Sequence, residues 1–117
     1  MIGDIVGEKC QVGGKILELV DFFESNEKLV EGTFMTERAK KLGASLGWGY
    51  ANFLISHEVR IPKEWREYDL VFPEALHEIN NCRCILYLHY HGWYWSRGYG
   101  LVKFDWTPRA RLVRLCR

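Results

Sequence analysis

Four residues in one short stretch carry the atoms that zinc prefers. Cys82, Cys84, His89 and His91 lie together near the middle of the C-terminal half. Zinc takes thiolate and imidazole ligands in tetrahedral sets. The spacing is not that of two separated C-x2-C pairs. In a strand, Cys82 and Cys84 face one way and His89 the other, so a cluster would need a further ligand from Cys10 or Cys116. The thiols are expected to pack in a core and the histidines to flank a turn, with no metal and no cofactor.

Carboxylates are the second source of chemistry. Asp21, Glu24 and Glu58 are available, with His57 beside Glu58. Metal-dependent phosphodiester cleavage needs such groups to converge on a cation. Asp21 and Glu24 fall one helical turn apart, which is also the spacing of an ordinary solvated face, and His57 falls on an apolar stripe. No G-x-S-x-G sequence and no phosphate-binding glycine loop occurs, and Gly3, Gly7, Gly13 and Gly14 match neither. A metal-dependent hydrolase or nuclease stays as a third reading, with no catalytic residue assigned.

The strongest signal is aromatic. Residues 82–106 read CRCILYLHYHGWYWSRGYGLVKFDW, with eight aromatic rings, and basic residues follow to the end of the chain. Partly exposed rings beside arginines make good anchors for a protein partner. The binding residues expected are Tyr94, Trp95, Arg97, Lys103, Arg109, Arg111 and Arg114. The leading reading is therefore a non-catalytic interaction module, adaptor-like or inhibitor-like, for a protein partner. An open strand edge would also allow a homodimer.

Nucleic-acid binding is the alternative. Tyr87, Tyr94 or Trp95 would stack bases while the same basic residues and Arg117 hold phosphates. A second version places a helix-turn-helix over 36–46 and 50–57, with Arg38, Lys40 and Lys41 on the backbone. Its second helix offers only Asn52 and Ser56 as polar readers.

These residues need elements to hold them. At 117 residues the chain is expected to form one domain, 1–117. Its 48% hydrophobic and 26% charged content fits a packed core and argues against disorder. The net charge of +1 selects no partner, although acids gather in 1–31 and bases in 101–117. No apolar run is long enough to span a membrane, and the start lacks the pattern of a secretory signal. A cytoplasmic protein with reduced thiols is expected.

The apolar spacing over Lys15–Ser25 predicts a helix, with Glu18, Asp21 and Glu24 as an acidic ridge. A second helix is expected near 36–46, capped by Thr33 or Thr36 and ended by Gly47. A third covers Tyr50–His57, and a turn of helix follows Pro62. Ile5 and Val6 suggest a brief edge strand. Strands are expected at 70–72, stopped by Pro73, then at 83–90, 93–97, 101–106 and 111–116. The stretch 74–81 is ambiguous between a short helix and a loop. The fold expected is α+β, with two or three N-terminal helices packed on a mostly antiparallel C-terminal β-sheet. Ile16, Leu17, Val20 and Phe23 would pack against Leu86 and Leu88.

Overall fold

The computed structural model describes residues 1–116. The chain opens with a β-hairpin where the apolar spacing predicts a helix. Strands β1 (Ile5–Val12) and β2 (Lys15–Val20) pair antiparallel, with Val12 opposite Lys15. Gly13 and Gly14 make the two-residue turn at φ 53° and 77°, the left-handed backbone that a tight hairpin of this kind requires. Leu17, Leu19 and Val20 are all fully buried, because both faces of β2 are covered. A strand buried on both faces shows no alternation, and over six residues it mimics a helical stripe.

The remaining elements follow in order. They are β3 (Val30–Glu31), helices α1 (Gly32–Leu42) and α2 (Trp48–Ser56), two 3-10 turns at Glu58–Arg60 and Lys63–Glu67, β4 (Asp69–Ile79), β5 (Cys82–Tyr90), β6 (Trp95–Leu101), β7 (Asp105–Trp106) and β8 (Ala110–Leu115). Six strands form one sheet in the order β1-β2-β8-β4-β5-β6. Its pairings are antiparallel except β4 with β8, which is parallel. Strands β3 and β7 form a separate pair.

The expected arrangement of N-terminal helices on a C-terminal sheet is therefore overturned. The N-terminus supplies two strands and the helices lie mid-chain. Each helix covers a different face of the sheet. Ala51 and Leu54 of α2 and Trp65 of the second 3-10 turn are buried with Leu17, Phe72, Leu86 and Leu88. Met35 and Ala39 of α1 are buried on the other side with Val20, Phe23, Val71, Ile85, Leu112 and Trp106. The predicted cluster is thus divided: Leu17 joins Leu86 and Leu88, Val20 and Phe23 join the opposite core, and Ile16 is left 38% exposed. The same division removes the helix-turn-helix, since α1 and α2 belong to separate cores.

Smaller corrections have local causes. Helix α1 starts four residues before Thr36 and ends at Gly43, whose φ of 67° forms a left-handed C-cap. Thr36 does not cap; its Oγ1 donates to the Gly32 carbonyl at 2.8 Å, one turn back. Pro73 does not stop β4, because the strand shifts register between Phe72 and Leu76, and a bulge is where a strand tolerates a residue with no N–H. Residues 74–79 continue that strand. The expected strand 93–97 is displaced to 95–101, which takes in Leu101, and of the remaining expected residues 102–106 only 105–106 are extended, paired with β3.

The segment between β2 and β3 is tied to α1 by one ion pair. Arg38 donates from both terminal nitrogens to the Glu27 carboxylate, at 2.6 and 2.8 Å, and to the Phe22 carbonyl at 2.9 Å. Arg38 first, and then the Glu24 backbone N–H, hold the Glu27 carboxyl at about 2, against its ordinary 4.5. A carboxyl whose folded pKa is depressed stabilises the fold above its unfolded pKa and loses that contribution as pH falls toward the folded one. Between pH 4.5 and 2, the Glu27→Gln variant should therefore show a shallower fall in melting temperature than the unmodified chain. Thermal melts at stepped pH measure this, and parallel curves would remove Glu27 from acid unfolding.

Candidate functional site

The β5–β6 hairpin turns at Gly92, φ 85°, and Trp93. The His91 N–H donates to the Tyr94 carbonyl at 2.9 Å, and the Val102 N–H to the Arg83 carbonyl at 3.1 Å. Antiparallel ladders alternate bonded and non-bonded pairs. With Tyr87 opposite Gly98, residues 96, 98 and 100 therefore turn their backbone groups toward β5. Trp95, Arg97, Tyr99 and Leu101 turn theirs away from the sheet. Among the described residues β6 has no strand on that outer side. The Leu101 carbonyl is occupied there, accepting from the Phe104 N–H at 3.2 Å.

The other edge of the sheet is treated differently. Strand β1 breaks register between Val6 and Cys10, around Gly7 at φ 70°. The Glu8 N–H donates to the Glu64 carboxylate at 2.9 Å, and its carbonyl accepts from Trp65 Nε1 at 2.8 Å. A bulge and two plugging side chains are how an edge is closed to further pairing. Among the described residues strand β6 has no register break, and no side chain bonds the Arg97 or Tyr99 backbone.

Beside β6 runs a groove of about 370 Å3, lined by Asp69, Tyr87, Phe104, Asp105 and Trp106 together with the β6 segment 99–101. Two glycines make room for its rings. A Cβ on Gly98 would come within 2.5 Å of the Tyr87 ring, and one on Gly100 within 2.6 Å of Trp106. The rings of Tyr87 and Trp106 stand edge to face, 5.7 Å apart at 89°. Strand β7 is fixed above the sheet by pairing with β3 and by the Gly32 N–H, which donates to the Phe104 carbonyl at 3.1 Å. Burial pushes the Tyr87 phenol above its usual pKa, and the charge of Asp69 adds to the shift. Trp106 Nε1 is buried with no acceptor among the described residues.

The residues expected to bind do not form one surface. Tyr94 is 52% exposed and stacks on His91 at 5.4 Å. Trp95 is buried at 4% in the core beneath α2 and packs near Tyr90, so its ring offers no binding surface. Arg97 is exposed and donates to Asn52 Oδ1 of α2 at 2.7 Å. Lys103 is exposed in the β6–β7 loop. Arg109 lies 3.9 Å from Asp69. Arg111 sits over the Tyr68 ring at 4.8 Å and donates to the Pro108 and Ala110 carbonyls. Arg114 donates to the buried Glu18 at 2.7 Å and to the Leu42 carbonyl at 3.0 Å, joining β2 to the C-terminus of α1. Arg117 lies outside the described residues.

The carboxylates also separate. Asp21 bonds the chain's own amino terminus at 3.2 Å and the Phe23 N–H at 2.9 Å, and Glu18 is a buried partner of Arg114 instead of part of an acidic ridge. His57 is exposed, with Nδ1 2.8 Å from the Phe53 carbonyl. No cluster of three or more His, Cys, Asp and Glu suited to a metal exists among the described residues. A short polar row crosses β4, β5 and β6. Asp69 Oδ1 lies 2.7 Å from His89 Nδ1, and His89 faces Ser96 across β5 and β6. The described hydrogen bonds end at the Asp69–His89 pair, so the row is not a joined relay.

Comparison of the chain with known protein families, with characterised proteins and with solved structures finds no match in any of the three. The site therefore rests on its own geometry. Sequence reasoning named Tyr87 but missed Phe104, Trp106, Asp69 and Asp105 as groove residues. The signal that marks them is the alternation of Gly98 and Gly100 inside a strand, since glycine there signals a close approach of other atoms.

Proposed function

We propose that the protein is a non-catalytic interaction module, adaptor-like or inhibitor-like, that captures an extended segment of a protein partner along the outer edge of β6. The observation that carries this reading is the contrast between the two sheet edges. Strand β1 is bulged and plugged, whereas β6 presents outward backbone groups at Arg97 and Tyr99 beside an aromatic groove. A strand added to such an edge gains affinity from main-chain hydrogen bonds and specificity from pockets for alternate side chains. The nucleic-acid reading draws less support, because Arg97, Arg111 and Arg114 each hold internal partners on different elements.

Random peptides displayed on phage, selected against the protein and against its Tyr99→Pro variant, test the reading. Proline removes an N–H that points away from β5, so the existing ladder stays intact. Selected peptides are expected to bind Tyr99→Pro about tenfold more weakly or worse, from a lost hydrogen bond and the intruding ring. They should also slow amide exchange at Arg97 and Tyr99. Peptides that bind both proteins alike, with exchange at those amides unchanged, would refute strand addition. A second copy of the chain is the competing occupant, and dimers that dissociate in Tyr99→Pro would reveal it in sedimentation equilibrium.

A further inference from the structure

We infer that the groove beside β6 is a cage for one cationic side chain, lysine or arginine, of the docked segment. This rests on strand docking at β6 and adds the chemistry of the residue that must face the groove.

The register decides where that residue sits. Gly98 and Gly100 face the same side of the sheet as Tyr87 and Ile85, their cross-strand partners. A segment paired to β6 places one residue alongside Gly100, on the groove side, where β6 itself has no side chain. That residue meets the half-buried Tyr87 ring, the exposed Phe104 and the narrow part of Trp106 left open, 8% of that residue. Tyr87 and Trp106 are perpendicular walls, and Phe104, 64% exposed, stands at the open side. Aromatic walls of this kind attract a cation through the negative faces of the rings, and more strongly once water is excluded.

Charge points the same way. Asp69 and Asp105 are among the lining residues, and no lysine, arginine or histidine is. Glu31 is the cross-strand partner of Asp105 and adds a third carboxylate nearby. Asp69 is held in place by His89 Nδ1 at 2.7 Å. Arg109 is the one basic side chain near it among the described ion pairs that is not a histidine, at 3.9 Å and more than half exposed, which is too far for a tight hydrogen bond. An acidic side chain entering the groove would meet like charge, and an uncharged one would add no counter-charge for Asp105 beyond the His89 that already pairs with Asp69. A cation satisfies both rings and carboxylates. The long apolar stem of lysine or arginine also suits the apolar walls.

The probes are fluorescently labelled heptapeptides, Ser-Val-Thr-Xaa-Thr-Val-Ser, with lysine, arginine, norleucine or glutamate at the central position. Anisotropy titrations are run on the unmodified protein and on the Phe104→Ala, Asp105→Asn and Tyr99→Pro variants. Phe104 and Asp105 are exposed, so these changes should leave the fold intact. The lysine and arginine peptides are expected to bind about tenfold more tightly than norleucine, with glutamate weakest. That preference should shrink in Phe104→Ala and in Asp105→Asn and fall with added salt, while Tyr99→Pro weakens all four peptides alike. Equal binding of lysine and norleucine peptides, still weakened by Tyr99→Pro, overturns the cage and leaves strand docking standing. A lysine preference that persists in both Phe104→Ala and Asp105→Asn also overturns it. Peptides that bind Tyr99→Pro undiminished, or no binding by any peptide, overturn the docking together with the cage.

Discussion

Replacing Trp65 with alanine is expected to destabilise the fold by about 3–5 kcal/mol, the range for a fully buried large aromatic. Trp65 is 0% exposed and sits in the short 3-10 turn that covers the α2 side of the sheet. Two effects contribute. Removing the ring forfeits its transfer energy and leaves a cavity among Leu70, Phe72 and Leu88 and their neighbours in that core. It also removes the Nε1 hydrogen bond to the Glu8 carbonyl, worth about 0.5–1.5 kcal/mol net. Packing should dominate. A domain of this size has about 5–15 kcal/mol of total stability, so the variant should melt about 10–20 °C lower. Denaturant titration measures the change. The Trp65→Phe variant separates the two effects, because it keeps most of the ring and loses the N–H. It should lose clearly less than the alanine variant. Equal losses would assign the stability to the hydrogen bond instead. The alanine variant should also unplug β1, seen as faster amide exchange at Glu8, because the Glu64 carboxylate that holds the Glu8 N–H sits in the same 3-10 turn that the Trp65 ring anchors.

The elements legible in the sequence are those whose pattern is local. Strand β5 is marked by a run of apolar and aromatic residues, α2 carries a helical spacing, and the turn after Pro62 follows from proline chemistry. Strand β8 (Ala110–Leu115) also falls within one residue of the expected 111–116. The sequence does not reveal that β8 inserts between β2 and β4, parallel to one and antiparallel to the other, because that pairing joins distant parts of the chain. Strand β2 reads as a helix because burial on both faces erases alternation. Gly13-Gly14 between two short runs is the better signal, since two glycines in a two-residue loop favour a hairpin over a helix start.

The site is legible in part for the same reason. The aromatic stretch identifies the right hairpin and an open edge, but not which rings reach solvent. Trp95 is buried because α2 covers its face of the sheet, and Tyr94 is exposed one residue earlier. The fate of the arginines is set by distant partners. Arg114 meets Glu18 across 96 positions of chain, and no local pattern distinguishes it from a solvated arginine. Charge counting near the C-terminus therefore overstates the basic surface, and only pairing in three dimensions shows which charges remain available.

The Gly32→Ala variant is expected to lose up to about 2 kcal/mol, although alanine is the better helix former. Gly32 is the first residue of α1, and a Cβ there would collide with the Val102 backbone carbonyl oxygen. In helix propensity alone alanine gains about 1 kcal/mol over glycine. Overpacking against a rigid neighbour costs about 1–3 kcal/mol, occasionally more, and here the neighbour is backbone that no rotamer change can move. The collision should win. Gly49 is the control. It lies in α2 with no positive φ, and a Cβ added there would meet nothing within 4 Å. Gly49→Ala should therefore be neutral or stabilising by up to about 1 kcal/mol. Opposite signs for the two variants in denaturant titrations would establish that close approach, not glycine flexibility, fixes Gly32. The consequence extends to the groove. Relief of the clash should push residues 102–104 away from α1, which strains the Gly32 N–H bond to the Phe104 carbonyl and the β3–β7 pair that hold Phe104 and Trp106 in place. Gly32→Ala should therefore weaken peptide capture more than its loss of stability alone explains. Full binding by the folded variant would mean that the groove does not depend on this junction.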